Sequence, residues 1–419
     1  MNTDELRLTK VMVAAIAVLL LMTGHASAQP CGGYEVTAII QAPKCPPSGY
    51  PPMFVWGLNE QGWVVGSFNS CVIGPDVAWL WTPEDGLMLI PMPPGTSYSR
   101  AVAISGSLIV GDYDNADLEL GRTGFLYDYE TDEFTSLGTL PGGNWSEAHA
   151  INSAGEIVGF WGNIVKGPSP LAFIWRDGEM IDINGDFGTI NSEANGINTA
   201  GFVTGWMGSS ILSDGQAFIW DNGKVTELPP IPEGLTSDGF AINDQLDVVG
   251  RGRFFDPELD VMVWRAFAFV EGDAFRIDPL PGFTNSIAFE INNAQILVGG
   301  SSGSGLRAFV WEDEVLTDLN DIISRNLNLT LRVARSINER GQIACDALTE
   351  FNDTVSVLLT PMIPPPGDLN NDCQVGVKDL LILLGDWGPC DNCENCPADL
   401  NSDCVVGVDD LLILLGNWG

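Results

Sequence analysis

The chain repeats one motif seven times, and that periodicity limits its fold more than any other feature. The element Ile-Asn-x-x-Gly-x-aliphatic-Val-Gly begins at residues 58, 104, 151, 197, 242, 291 and 337, in steps of 45–49 residues. The first copy opens with Leu58-Asn59, the second is one residue shorter, and the last is worn to end in Cys345. A second element trails the first, as Ala78-Trp79-Leu80-Trp81, Gly124-Phe125-Leu126-Tyr127, Ala172-Phe173-Ile174-Trp175 and Ala217-Phe218-Ile219-Trp220. It continues as Ala266-Phe267-Ala268-Phe269, Ala308-Phe309-Val310-Trp311 and Val357-Leu358-Leu359-Thr360. Several short apolar runs in a unit of 40–50 residues are the pattern of a β-propeller.

Each unit reads as four strands: one running into Ile-Asn, the Val-Val-Gly run, the Ala-Phe-x-Trp run, and a last one such as 224–228. Asn-x-x-Gly suits a tight hairpin because Asn and Gly tolerate φ > 0, and Asp177-Gly178 and Asn222-Gly223 give the same turn signal. The seventh unit runs out after its third strand, while a spare strand, 34–40, sits upstream. Lending that strand to the last unit closes the ring and removes its open edges. The expected architecture is a seven-bladed propeller over 34–361.

Residues 1–28 read as a secretory signal: Arg7 and Lys10, an apolar run over 11–22, then Ala26-Ser27-Ala28. The expected location is extracellular or at the cell surface, with no membrane span. The nine Cys then lean towards disulfides, and an odd number leaves one thiol over or paired outside the chain. Cys390, Cys393 and Cys396 are read as disulfide partners in preference to a zinc or iron–sulfur site. With 18 Lys+Arg against 55 Asp+Glu, the net charge of −37 argues against a nucleic-acid partner.

After a stiff segment at 362–367 with Pro364-Pro365-Pro366, the sequence duplicates at an offset of 31. Two 12-residue loops, each followed by Leu-Leu-Ile-Leu-Leu-Gly, carry Asp-x-Asn-x-Asp and a final Asp. Calcium takes six to eight oxygens, and such a loop offers them at positions 1, 3, 5, 7 and 12. The first copy supplies Asp368, Asn370, Asp372, the carbonyl of Gln374, and Asp379. The second supplies Asp399, Asn401, Asp403, the carbonyl of Val405, and Asp410. Two calcium ions are expected, with folding of 368–419 coupled to them. Position 6 of each loop is Cys373 or Cys404, where a sharp turn favours Gly; positive φ there costs about 1 kcal/mol.

The Ile-Asn-x-x-Gly and Ala-Phe-x-Trp elements resemble those of the extracellular HAF-repeat family, a resemblance covering about 330 residues that implies a secreted propeller and brings no catalytic residues. The doubled loop–helix resembles a type I dockerin with EF-hand-type loops, over about 52 residues. That resemblance implies calcium binding and docking onto an extracellular scaffold or cell-surface protein. The whole then reads as an all-β seven-bladed β-propeller followed by a small α-helical tandem calcium loop–helix domain.

The periodic aromatics Trp81, Tyr127, Trp175, Trp220, Phe269 and Trp311 fall at one place per blade and are read as blade-to-blade core. Both classes of long connection, such as 112–122, 160–170 and 251–264, emerge on one face. That face is the candidate site for polysaccharide or peptide, with Phe68, Tyr113, Trp145, Trp161 and Trp206 near Asp112, Asp114 and Asp117; the same rings also suit strands extending into the core. His149, the only histidine left after the signal, follows Glu147 by two residues, as either an acid–base pair or a structural, channel-lining histidine. No nucleophile elbow, phosphate loop or His-rich metal motif is present, so no catalytic residue is assigned. The function expected is an interaction or display propeller in polysaccharide-related extracellular assembly. The alternatives are a secreted polysaccharide-acting hydrolase of the glycosidase class, and a structural surface protein.

Overall fold

The computed structural model describes residues 33–418 apart from 46–48, 70–74, 115–120, 164, 166, 188–190, 324–326, 363, 371–372, 391 and 394–395. The expected signal at 1–28, Cys31, Cys71, Asp117 and the expected ligand Asp372 lie outside the described residues. Two compact units are present, Tyr34–Thr360 and one that includes Pro361–Gly419.

The first unit is a seven-bladed propeller of four-stranded antiparallel sheets. Blade one is Met53–Leu58, Val64–Asn69, Asp76–Thr82 and Gly86–Leu89, running from the channel outward. Blades two to six repeat that order, their inner strands being Ser99–Ser105, Trp145–Ile151, Asn191–Ile197, Gly234–Ile242 and Asn285–Ile291. Blade seven takes Leu329–Ile337, Ile343–Thr349 and Thr354–Pro361 from the end of the ring and Tyr34–Ile40 from its beginning. That shared blade is the closure the sequence called for, and it leaves the sheet no unpaired first strand.

The repeated residues have separate structural tasks. The aromatic second position of Ala-Phe-x-Trp (Trp79, Phe125, Phe173, Phe218, Phe267 and Phe309) is fully buried. Around it, apolar clusters bridge neighbouring blades, as where Val65 and Leu80 meet Ile104, Ile109 and Phe125. Tyr127 and Trp220 are buried, and Trp81, Trp175, Phe269 and Trp311 pack against these clusters as expected of blade-to-blade core. A buried serine on each of five inner strands adds a polar tie. Ser99, Ser146, Ser192, Ser237 and Ser286 accept from the backbone N–H of Ala78, Gly124, Ala172, Ala217 and Ala266 at 2.8–3.0 Å.

The turns need one correction. Asp177-Gly178 and Asn222-Gly223 do take positive φ at both residues, the type I′ pattern. The Asn of Ile-Asn-x-x-Gly does not; positive φ falls on Gly62, Gly155, Gly201 and Gly341, and on Leu246 and Gln295 where Gly is missing. The Asn acts through its side chain. Asn59 Oδ1 accepts from the N–H of Gln61 at 3.0 Å and of Trp63 at 2.8 Å, while Nδ2 donates to the Gly106 carbonyl of the next blade at 2.8 Å.

In the second unit, α1 (Val377–Gly385) and α2 (Val408–Gly416) follow the duplicated loops. Their buried leucines, Leu383 and Leu414, share a small core with Val375, Ala398 and Val406. Disulfides join Cys390 to Cys396 and Cys393 to Cys404, which bears out the reading of these cysteines. Among the described residues no helix is long and apolar enough to cross a membrane.

Candidate functional site

The seven inner strands share an irregularity that the sequence did not announce. In each, the pairing register skips a residue at the equivalent place: Trp56, Val102, His149, Asn195, Phe240, Phe289 and Arg335, with a further skip at Leu235 in blade five and at Arg332 in blade seven. Each is the extra residue of a β-bulge, a device that turns a side chain away from the sheet. In six blades the Gly ending the Ile-Asn repeat sits opposite, because a Cβ there would strike the inner strand: at Gly111 it would meet the Arg100 carbonyl, at Gly205 that of Glu193; blade seven has Cys345 instead. Close approach, and not φ, fixes Gly in Val-Val-Gly.

All seven equivalent bulged residues line one cavity of about 390 Å³ in the channel. An aliphatic collar of Leu58, Ile104, Ile151, Ile197 and Ile242 separates it from a second cavity of about 290 Å³, lined by the repeated asparagines.

A belt of polar and aromatic contacts runs round the larger cavity. Arg100 bonds Asp112 Oδ1 through Nε at 2.9 Å and Glu147 Oε2 through Nη2 at 3.0 Å. Glu147 also accepts from the Trp145 indole at 3.1 Å and lies 3.9 Å from His149 Nε2. His149 Nδ1 meets Asn195 Oδ1 at 3.0 Å. The Asn195 amide donates to Asp238 Oδ1 and the Gly239 carbonyl, so its oxygen faces the ring and His149 Nδ1 must be the donor. Asp238 pairs with Arg251 at 3.3 Å, and that guanidinium lies over Phe240 at 5.2 Å and Trp264 at 4.5 Å. Phe240 stacks on Phe289 at 5.9 Å and 10°. Phe289 and Trp56 sandwich the Arg335 guanidinium at 4.6 and 4.7 Å, and Arg100 also lies 5.4 Å from Trp56, which closes the circuit.

Burial and pairing oppose each other in this belt. Burial pushes Asp112 above the usual carboxylate range against the pull of Arg100, and lifts Asp238 to about 7 against Arg251. Burial also favours a neutral Glu147, but His149, Arg100 and Trp145 outweigh it, and its pKa falls to about 2. Burial disfavours a charged His149, yet Glu147 brings its pKa up. Glu290, beside the bulge of blade six, is raised to about 8 by burial, with Glu339 adding to the shift.

The rings nominated from sequence divide. Phe68, Tyr113 and Trp206 are only 5, 4 and 5% exposed and pack inside the blades. Trp145 and Trp161 are half-buried; Trp145 packs edge-on to Phe160, and Trp161 lies against the cluster containing Val110 and Phe173. His149 alone of the nominated propeller residues lines the cavity. Arg100, Phe240, Phe289 and Arg335 escaped the sequence reading. For the two arginines a signal was available in the rarity of cations in so acidic a chain.

The duplicated loops form a second candidate site. In each, the last Asp accepts three backbone N–H groups: Leu369, Asn370 and Gly376 on Asp379, and Leu400, Asn401 and Gly407 on Asp410, at 2.7–3.1 Å. The first Asp accepts from the N–H of position 6, Cys373 to Asp368 at 2.7 Å and Cys404 to Asp399 at 2.8 Å. Both cysteines take positive φ, 64° and 69°, as the sharp turn requires. In the second loop, Asn401 Oδ1 accepts from the Asp403 N–H, and Asp403 Oδ1 from that of Val405. Gln374 and Val405 follow at position 7. Among the described residues, no group of three or more His, Cys, Asp or Glu side chains has the arrangement of a metal site.

No family model and no curated protein sequence matches the chain. Among solved structures it is similar to the β-propeller domain of the Trilobed protease from Pyrococcus furiosus, at 10% identity and TM-score 0.45 over 73% of this chain and 95% of that one. It is also similar to a puromycin-hydrolyzing peptidase from Mycobacterium tuberculosis, at 11% identity and TM-score 0.47 over 73% and 50% of the two chains. A putative TolB from Agrobacterium tumefaciens is a third, at 10% identity and TM-score 0.38 over 71% and 98%. The chain spans about half the length of the peptidases it matches. At such identities the likeness is one of fold alone.

Proposed function

We propose that this is a secreted propeller that presents a binding surface and is docked to an extracellular scaffold or cell-surface protein by a calcium-dependent, dockerin-like C-terminal module. The observation that carries the reading is a duplicated apolar surface. Leu381 on α1 and Leu412 on α2 stand 31 positions apart and are 64 and 61% exposed. Val377, Leu384 and Trp387 are likewise exposed, as are their counterparts Val408, Leu415 and Trp418. A small module that leaves so many large apolar side chains in water has surface suited to a partner. Hard oxygen donors recur at equivalent loop positions, which supports two calcium ions as the element that orders it.

The hydrolase alternative finds less support. Glu147, the carboxylate beside the only described histidine, is held charged by His149 and Arg100, which speaks against a general acid there near neutral pH.

The intact chain, immobilised, is incubated with the secreted and surface proteins of its own organism, in calcium and in chelator. Calorimetry with calcium alone is run beside it. Two calcium ions per chain, and a partner retained only with calcium and lost in the double variant L381E/L412E, are the expected result. Absence of calcium binding, or a partner held equally well by the variant, refutes the docking role.

A further inference from the structure

We propose that the larger channel cavity binds a cyclic carboxylate, a ligand carrying one carboxylate on a six-membered ring. The inference concerns the propeller alone and stands or falls independently of the docking role.

The first observation is where the cations are. The chain carries only 18 Lys+Arg within a net charge of −37, yet two guanidiniums, Arg100 and Arg335, line this one cavity. Each is fixed from behind by a buried carboxylate: Asp112 Oδ1 at 2.9 Å from Arg100 Nε, and Asp346 Oδ2 at 3.3 Å from Arg335 Nε. Arg335 has no other hydrogen-bond partner among the described residues, so its two terminal nitrogens present a free fork. That fork matches a carboxylate bidentately.

The second observation is charge balance. Asp346 already offsets Arg335, while Asp112 and Glu147 offset Arg100. With Arg122 counted, 3.8 Å from Asp112 and 3.9 Å from Glu147, three guanidiniums meet three carboxylates, and a site with no net charge takes a monoanion at less cost than a phosphate dianion.

The third observation is shape. Trp56 and Phe289 hold the Arg335 plane between them and Phe240 stacks on Phe289, so this ladder spends its ring faces internally and turns ring edges to the cavity that all three rings line. A ligand ring set against this wall takes the ring edges on its face, the edge-to-face arrangement, while its carboxylate meets the fork. The bulges make the wall, since they turn these side chains into the channel. The aliphatic collar closes the floor, and about 390 Å³ falls in the range of small-molecule sites. The cavity-lining edges of His149 and Asn195 supply polar contacts for ring substituents.

Two sources share this chemistry, a sugar acid and an aromatic acid, and the test separates them. The intact chain is titrated calorimetrically with glucuronate, benzoate, acetate, methyl glucoside and inorganic phosphate. Glucuronate or benzoate is expected to bind at least about tenfold more tightly than acetate, methyl glucoside or phosphate, and whichever binds identifies the ring. R335K keeps a charge beside Asp346 but loses the fork, and F289L keeps bulk but loses the aromatic edge; circular dichroism checks that each folds. Each is expected to weaken binding by about tenfold or more. Failure of both cyclic acids to bind, tighter binding of phosphate, or unchanged binding by a folded R335K overturns the proposal.

Discussion

Asn338 donates from Nδ2 to the carbonyl oxygen of Asn59 at 3.0 Å, joining residues 279 positions apart at the point where blade seven meets blade one. The same bond runs from Asn152 to Asn198, Asn198 to Asn243, Asn243 to Asn292 and Asn292 to Asn338, at 3.0–3.2 Å. Blade two, whose turn is one residue shorter, has Ser105 in place of Asn. Ring closure thus has a polar component built from the same residue that caps each hairpin.

Replacing Asn338 tests that component. N338A removes the bond to Asn59 and leaves the N–H groups of Arg340 and Gln342 without their Oδ1 acceptor. Stranded polar groups of this kind cost about 1–3 kcal/mol. N338D retains the acceptor and loses only the donor, so its loss should be smaller. Urea unfolding with unchanged slope should rank wild type above N338D above N338A. Equal midpoints would mean that apolar contacts alone close the ring.

The bulges can be tested through the glycine opposite one of them. A Cβ at Gly205 would strike the Glu193 carbonyl, so G205A must shift the inner strand or flatten the bulge beside Asn195. Overpacking of this sort costs about 1–3 kcal/mol. Because Asn195 orients His149, G205A is also expected to disturb the cavity, seen as a shifted His149 signal in NMR. A stable G205A with an unmoved His149 signal would show that the bulge does not depend on glycine.

The acid side chain on the channel wall sets a pH dependence. Folding raises Glu290 from an ordinary value of about 4.5 to about 8, so the native chain keeps a proton that the unfolded chain releases. Its stabilising effect is therefore complete below about pH 4.5 and is lost as pH rises towards 8. Asp238, raised to about 7, acts in the same direction, as does self-repulsion in a chain of net charge −37. The melting temperature should fall between pH 5 and pH 8, and E290Q should reduce that fall without abolishing it. Parallel pH profiles for E290Q and wild type would mean that Glu290 is ionised in the folded chain.

The blade count and the closing strand were legible because the repeat encodes them in residues whose identity is constrained. Phe in Ala-Phe-x-Trp must be buried, and Asn must cap its turn. The channel was not legible, because the bulged position holds Trp, Val, His, Asn, Phe, Phe and Arg in turn. A bulge constrains the backbone opposite and leaves its own side chain free to vary. The only trace is Gly in Val-Val-Gly, one strand away. Seeking aromatics beside carboxylates on the long-loop face drew attention to Phe68, Tyr113 and Trp206, which the alternation of the second strand turns into the core. Arginines, scarce in this chain, were the better marker, but which of them converge depends on the register skip.

The second loop couples redox state to its geometry. Cys404 sits at the sixth loop position with φ of 69° and donates its N–H to Asp399, while its sulfur is bridged to Cys393. A side chain at positive φ costs about 1 kcal/mol; Cys373 takes the same conformation in a loop that neither described disulfide joins, so the turn itself imposes it and the bridge adds a restraint. Reduction removes that added restraint on the conformation that aims the N–H at Asp399. The C393S/C404S variant closes no loop between these positions and should lose about 2–4 kcal/mol of module stability. Calorimetry on the intact chain should find calcium binding at one of the two proposed sites weakened several-fold by reduction or by the double variant. D410N, which leaves Cys393–Cys404 intact, should weaken the same site in oxidised protein. If reduction leaves both sites unchanged, the bridge serves only the segment between the loops.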